Sequence, residues 1–289
     1  MRPKHLAWLL LALAACNRSP QPPAQSTPAA TPATSTAPAT ATTATDLRDI
    51  SERGPKYMLG ISFPPELRRY PAFAAEVQGD AEAVRADFMQ QVAGNAGQGG
   101  ADMFDLSLAY SMVAESPRIV AVAAEGTSYV GGAHGEPLLE RYVWLLPENR
   151  RLTAAGLIPD AAGWGAVSAY VREQLMAQQR QRLGGDDDSK GAANGDAGDS
   201  DDKAISAADR KQLLKNAADM IEEGTEPKAE NFANFEPVLG ADGKIAALRF
   251  VFPPYQVGPY SDGAQSVEVP AAVLLPLVAP TERGLFAGG

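Results

Sequence analysis

The 289-residue chain contains one cysteine, Cys16, and two histidines, His5 and His134. With one thiol there is no internal disulfide and no zinc–thiolate site, and with His134 as the one histidine beyond the first residues no His-Glu-x-x-His helix exists. A Gly-x-Ser-x-Gly elbow, which would offer a serine nucleophile, is also missing. No metal and no cofactor are therefore expected. Basic clusters are absent as well. The net charge is −10 and grows more negative if Arg2 and Lys4 are removed, which disfavours nucleic-acid binding. An acidic surface suits a cationic partner, or simply solubility.

Long apolar runs are missing too. The longest near the start, Leu6 to Leu13, is about half of the roughly 20 residues that a spanning helix needs. It follows Arg2 and Lys4 and leads into Leu13-Ala14-Ala15-Cys16, the pattern of a signal peptide over residues 1–16 that ends in a lipobox. Lipidation of Cys16 would explain a lone cysteine in an exported chain and would supply a membrane anchor. Asn17, rather than aspartate, points to the outer membrane facing the periplasm. Residues 17–51 are dominated by Pro, Ala, Thr and Ser, a composition that cannot offset the entropy of ordering, and are expected to be a tether.

The remainder reads as an α+β chain, with an N-terminal portion over 52–158 and a C-terminal portion over 159–289. Tyr57, Leu59, Ile61 and Phe63 alternate as a strand. Val77, Ala81, Val84, Phe88 and Val92 give a helical stripe over 74–93. Leu106, Leu108, Tyr110 and Met112 alternate again, Ile119 to Ala124 is continuously apolar as befits a central strand, and a further strand spans Leu138 to Leu146. Trp164, Val167, Val171 and Leu175 mark a helix over 164–183. Residues 184–203 hold seven aspartates and no large apolar residue, so a disordered insertion is expected there. A calcium loop fits poorly, because Lys190 would occupy a ligand position.

Ser206 and Asp209 form a capping signal for a third helix, whose stripe is Leu213, Leu214, Ala217 and Met220 and whose stop is Gly224. Phe232 to Leu239 and Ile245 to Phe252 flank a turn at 241–243 and read as a hairpin. Val267 and Val269 suggest one more strand, followed by a short helix from Pro270 to Leu275. Paired strands of this kind imply helices packed on antiparallel sheet, in one core or two.

Two loops stand out. Tyr129-Val130-Gly131-Gly132-Ala133-His134-Gly135 places a histidine among three glycines, a constrained backbone that could hold the imidazole in one orientation. Pro254-Tyr255-Gln256-Val257-Gly258-Pro259-Tyr260-Ser261-Asp262-Gly263 is stiffened by proline and carries two tyrosines, suited either to recognition or to packing on the core. These two motifs, in this order, resemble the extracytoplasmic domain of lysozyme-sensing anti-sigma factors of the RsiV type. That domain also occurs beside peptidoglycan deacetylases and in bacterial lipoproteins.

The resemblance covers residues 52–278 and implies a strand–helix–strand portion followed by a helix-and-hairpin portion. The chain departs from the anti-sigma members in having neither their sigma-binding segment nor a transmembrane helix, so what the resemblance implies is ligand binding without transmembrane signalling. The leading expectation is a non-enzymatic, membrane-anchored binding domain for peptidoglycan or a lysozyme-like protein. Its site would be Gly131, Gly132, His134, Gly135, Tyr255 and Tyr260. The rivals are a cell-wall hydrolase, with His134 as general base beside Glu136 or Asp262, and a purely structural lipoprotein.

Overall fold

A computed structural model describes residues 47–95, 103–184 and 206–289. Cys16, the leader, residues 17–46 of the tether and residues 185–203 of the Asp-rich insertion lie outside the described residues.

The first sheet has six strands in sequence order: β1 (Ile50–Arg53), β2 (Tyr57–Ser62), β3 (Phe104–Glu115), β4 (Ile119–Tyr129), β5 (Glu136–Leu145) and β6 (Arg150–Arg151). Helix α1 (Pro71–Asn95) connects β2 to β3, and these two strands pair in parallel while every other pair in the sheet is antiparallel. The α+β architecture of helices on antiparallel sheet is thus as expected, with one parallel pairing that the sequence pattern did not indicate. The reason is topological: a strand followed by a helix that packs back on the same face returns the chain in the same direction.

One correction concerns the tether. Leu47 is fully buried and β1 pairs with β2, so residues 47–51 belong to the folded domain rather than to the segment before it.

Alternation along β4 explains its continuous apolar run. Val120, Val122 and Ala124 face α1, together with Leu59, Ile61, Leu106, Leu108, Phe73, Val77 and Phe88. Ile119 and Ala121 point the other way, into a core shared with Val143, Leu145 and the C-terminal elements. A strand buried on both faces needs apolar residues at every position.

Those C-terminal elements are the short helix α2 (Ala154–Leu157), α3 (Gly163–Gly184), α4 (Ala207–Gly224), the antiparallel sheet β7 (Phe235–Leu239), β8 (Ile245–Phe252) and β9 (Gln265–Pro270), and the short helix α5 (Ala271–Leu274). Phe232, expected in the strand, sits in a 3-10 turn over 229–232 instead. Its ring stacks on Trp164 of α3 at 5.2 Å and meets Phe250 edge-on, which locks helix to sheet.

Helix α4 runs antiparallel to α3. The Ser168 hydroxyl, early in α3, donates to the Thr225 carbonyl after the end of α4, and Leu183, late in α3, lines one groove with Leu213, early in α4. The expected apolar stripe of α4 is only partly covered: Leu214, Ala217 and Met220 are half-buried and Leu213 is 43% exposed, while the fully buried side chain is Ile221, one position beyond the stripe.

The two sheets meet at β7, which lies against β3, β4 and β5. An alternating chain of charges crosses this junction, running Glu125–Arg141–Glu236–Arg249–Glu268 from β4 to β9. Arg141 and Glu236 are each 6% exposed, with Nε to Oε2 at 2.9 Å, and the Arg141 backbone N–H donates to the Asn234 side chain. Both ions have several partners, as a buried pair requires to offset desolvation.

Candidate functional site

The β4–β5 hairpin closes through residues 130–135. Gly131 and Gly132 adopt φ of 109° and 103°, a region that L-residues avoid, and a Cβ at either would meet nothing within 4 Å. These glycines are therefore demanded by backbone conformation rather than by close packing. The Asn95 amide at the end of α1 donates to the Val130 carbonyl and tethers the base of the loop. His134 is consequently carried on an exposed but constrained tip.

The second loop, residues 253–264, joins β8 to β9. Pro253, Pro254 and Pro259 restrict it, and Val257 is the side chain that folds inward. The Gln256 amide donates to the carbonyls of Gly224 (2.8 Å) and Asn231 (2.9 Å), which pins the loop to the end of α4. A Cβ at Gly224 would fall 1.8 Å from the Gln256 carbonyl oxygen, so only glycine allows this approach. Asp262 is held by Arg182 of α3 at 3.2 Å.

Anchored in this way, the loop turns Tyr255 outward. It is 55% exposed and adopts φ of 73°, one of two non-glycine positive values among the described residues. A bulky residue in that region is strained.

The two loops meet although 121 residues separate His134 from Tyr255. Tyr260 stacks on the His134 ring at 4.2 Å and 22°, and Tyr255 lies 5.5 Å from Tyr260. The hydrogen bonds specify a tautomer. His134 Nδ1 is 3.0 Å from the Gly135 carbonyl, which can only accept, so Nδ1 carries the proton. In the neutral ring Nε2 then accepts from the Tyr255 hydroxyl at 2.9 Å. The Tyr260 hydroxyl also donates to the Gly135 carbonyl, at 3.3 Å.

Of the residues singled out from sequence, His134, Gly135, Tyr255 and Tyr260 are thus in direct contact, and Gly131 and Gly132 shape the backbone beside them. The tyrosines are not folded into the core. Cys16 lies outside the described residues.

Of the two carboxylates considered beside His134, Asp262 is engaged elsewhere, while Glu136 lines the same depression as His134 without a hydrogen bond to it among the described residues. Both imidazole nitrogens are engaged by Gly135 and Tyr255, and Asp262 is bound by Arg182 and Gln179. Among the described residues no three His, Cys, Asp or Glu side chains converge as a metal site, and no helix is long and apolar enough to cross a membrane.

Beside the aromatic cluster lies an open depression of about 410 Å³, lined by His134, Glu136, Pro137, Pro253, Pro254 and Tyr255. Pro253 and Pro254, which read from the sequence as stiffening the tyrosine loop, also form part of this lining.

Residues 158–272 match the family model described as "Protein of unknown function (DUF3298)". The match includes Tyr255 and Tyr260 and excludes His134. Among solved structures the chain is similar to a DUF3298 family protein from Pseudomonas aeruginosa PAO1, at 12% identity and a TM-score of 0.48, with 84% of this chain and 96% of that chain covered. It is likewise similar to a DUF3298 family member from Bacteroides fragilis NCTC 9343, at 14% identity and a TM-score of 0.49, with the same coverage. No curated protein matches the chain. The family match is confined to residues 158–272, and the function of that family is not known.

Proposed function

We propose that this chain is an envelope lipoprotein, anchored through Cys16, whose folded part is a non-enzymatic binding domain for a cell-wall-associated or lysozyme-like ligand. The observation that carries the reading is Tyr255. It is an exposed aromatic held in a strained backbone conformation by an anchored, proline-rich loop, with its hydroxyl fixed by His134. Strain that only costs stability at the surface is retained where it presents a group to a partner. A rigid tyrosine gives large contact area for little lost entropy.

The mutual satisfaction of His134, Gly135 and Tyr255 favours a positioning role for the imidazole over proton transfer to a substrate. The ligand class rests on the resemblance of the two loop motifs to RsiV-type domains, and the anchor rests on the leader sequence. A pull-down of the full chain with purified peptidoglycan and with a C-type lysozyme, at physiological salt, tests the reading. Retention by either, weakened in Tyr255→Ala and in Tyr260→Ala, is expected. Retention by neither would reject it, and wall-degrading activity that disappears in His134→Ala would favour a hydrolase instead.

A further inference from the structure

The depression beside Tyr255 has a definite chemistry. Its walls are the Tyr255 and His134 rings together with Pro137, Pro253 and Pro254, and its one charged side chain is Glu136. The carboxylates nearby in sequence or in the same loops are already neutralised, Glu125 by Arg141, Glu140 by Arg151 and Asp262 by Arg182. Glu136 is exposed and takes part in no ion pair among the described residues. The polar atoms of His134 and Tyr255 are bonded to each other and to Gly135, which leaves the Glu136 carboxylate as the free hydrogen-bonding group of the lining.

Aromatic and proline faces ending in an unpaired carboxylate complement a group that is apolar along its length and positive at its tip. A sugar ring, by contrast, would ask for several outward donors and acceptors, which this lining does not offer.

We propose that this depression seats a single arginine or lysine side chain of a basic protein partner, with its stem against Tyr255 and the prolines and its cation on Glu136. The inference rests on the recognition surface assigned above and names what that surface takes. The net charge of −10 adds long-range attraction for such a partner. Because the loop is already fixed by Gln256 and the prolines, little ordering entropy opposes docking.

The test uses the full chain in detergent, titrated with octa-arginine and, as a neutral cell-wall probe, with the N-acetylglucosamine tetramer. Octa-arginine is expected to bind in a salt-sensitive manner. Glu136→Gln and Tyr255→Ala should each weaken it about tenfold. Glu66→Gln, which removes the same charge from an exposed turn, should change it less than about twofold. Equal effects of Glu136→Gln and Glu66→Gln would show diffuse attraction to an acidic surface and overturn the inference. Tetramer binding that falls in Tyr255→Ala but not in Glu136→Gln would overturn it too, while leaving the recognition surface intact. If neither probe responds to Tyr255→Ala, the inference and the recognition surface fail together.

Discussion

Tyr255 permits a prediction with an unusual sign. At an ordinary position alanine is more stabilising than glycine by about 0.5–1 kcal/mol, because glycine has more backbone freedom to lose on folding. At φ of 73° the order should reverse, since a side chain in that region costs about 1–2 kcal/mol that glycine does not incur. Tyr255→Ala and Tyr255→Gly lose the same ring contacts with His134 and Tyr260, about 1–2 kcal/mol for a half-exposed tyrosine. Their difference therefore isolates the backbone. The glycine variant should be the more stable by about 0.5–1 kcal/mol, which at a urea m-value of about 2 kcal/mol/M separates the midpoints by about 0.25–0.5 M. Urea unfolding of the two variants followed by circular dichroism measures this directly. A glycine midpoint at or below the alanine midpoint would refute the claim that Tyr255 is held in strain, and with it the argument that the loop sacrifices stability for presentation.

Three further outcomes are expected. Arg141→Met should destabilise the fold by about 1–3 kcal/mol because it leaves the buried Glu236 with Arg249 as its remaining ionic partner, whereas the Arg141→Met/Glu236→Leu double variant should recover much of that loss. Additive losses in urea unfolding would contradict the coupling. Gly224→Ala should cost more than about 2 kcal/mol and displace the Tyr255 loop, because its Cβ would collide with the Gln256 carbonyl. A variant with wild-type melting temperature and wild-type binding would count against that contact.

Burial pushes the Tyr110 hydroxyl up to about 12 and also raises that of Tyr142. A raised folded value means that the protonated form is favoured by folding. Its contribution is complete below the unfolded value of about 10 and is lost as pH rises toward 12, at about 1.4 kcal/mol per pH unit for Tyr110. Tyr110→Phe should flatten the alkaline decline in melting temperature, and an unchanged slope would show that Tyr110 is not shielded.

How much of this was legible in the sequence depends on where the information lies. The helical stripe Val77–Ala81–Phe88 and the double-sided run of β4 are local patterns, and both mark their elements correctly. β1 escaped notice because Ile50 is its one large apolar residue and Ser51, Glu52 and Arg53 look like a continuation of the tether. The parallel pairing of β2 and β3 is set by how α1 returns the chain, which alternation alone does not encode. Arg141 and Glu236 occupy positions that read as solvent-facing on their own strands, and only the packing of one sheet on the other buries them together.

At the site, the glycine loop and the tyrosine loop were each conspicuous as composition. That the imidazole reaches the Tyr255 hydroxyl depends on the Gln256 anchor to Gly224 and Asn231, a contact between distant segments with no local signature.

The central claim is that the His134–Tyr255–Tyr260 surface is where this domain recognises its ligand. The most direct measurement is the affinity of the full chain for a C-type lysozyme by calorimetry, with wild type compared against Tyr255→Ala and melting temperature recorded in parallel. The account predicts measurable binding that weakens at least about tenfold in the variant, as expected for a central aromatic contact, while the melting temperature falls by only the few degrees that the lost ring contacts account for. Affinity that is the same in both proteins, or no affinity in either for lysozyme or for peptidoglycan, would contradict it.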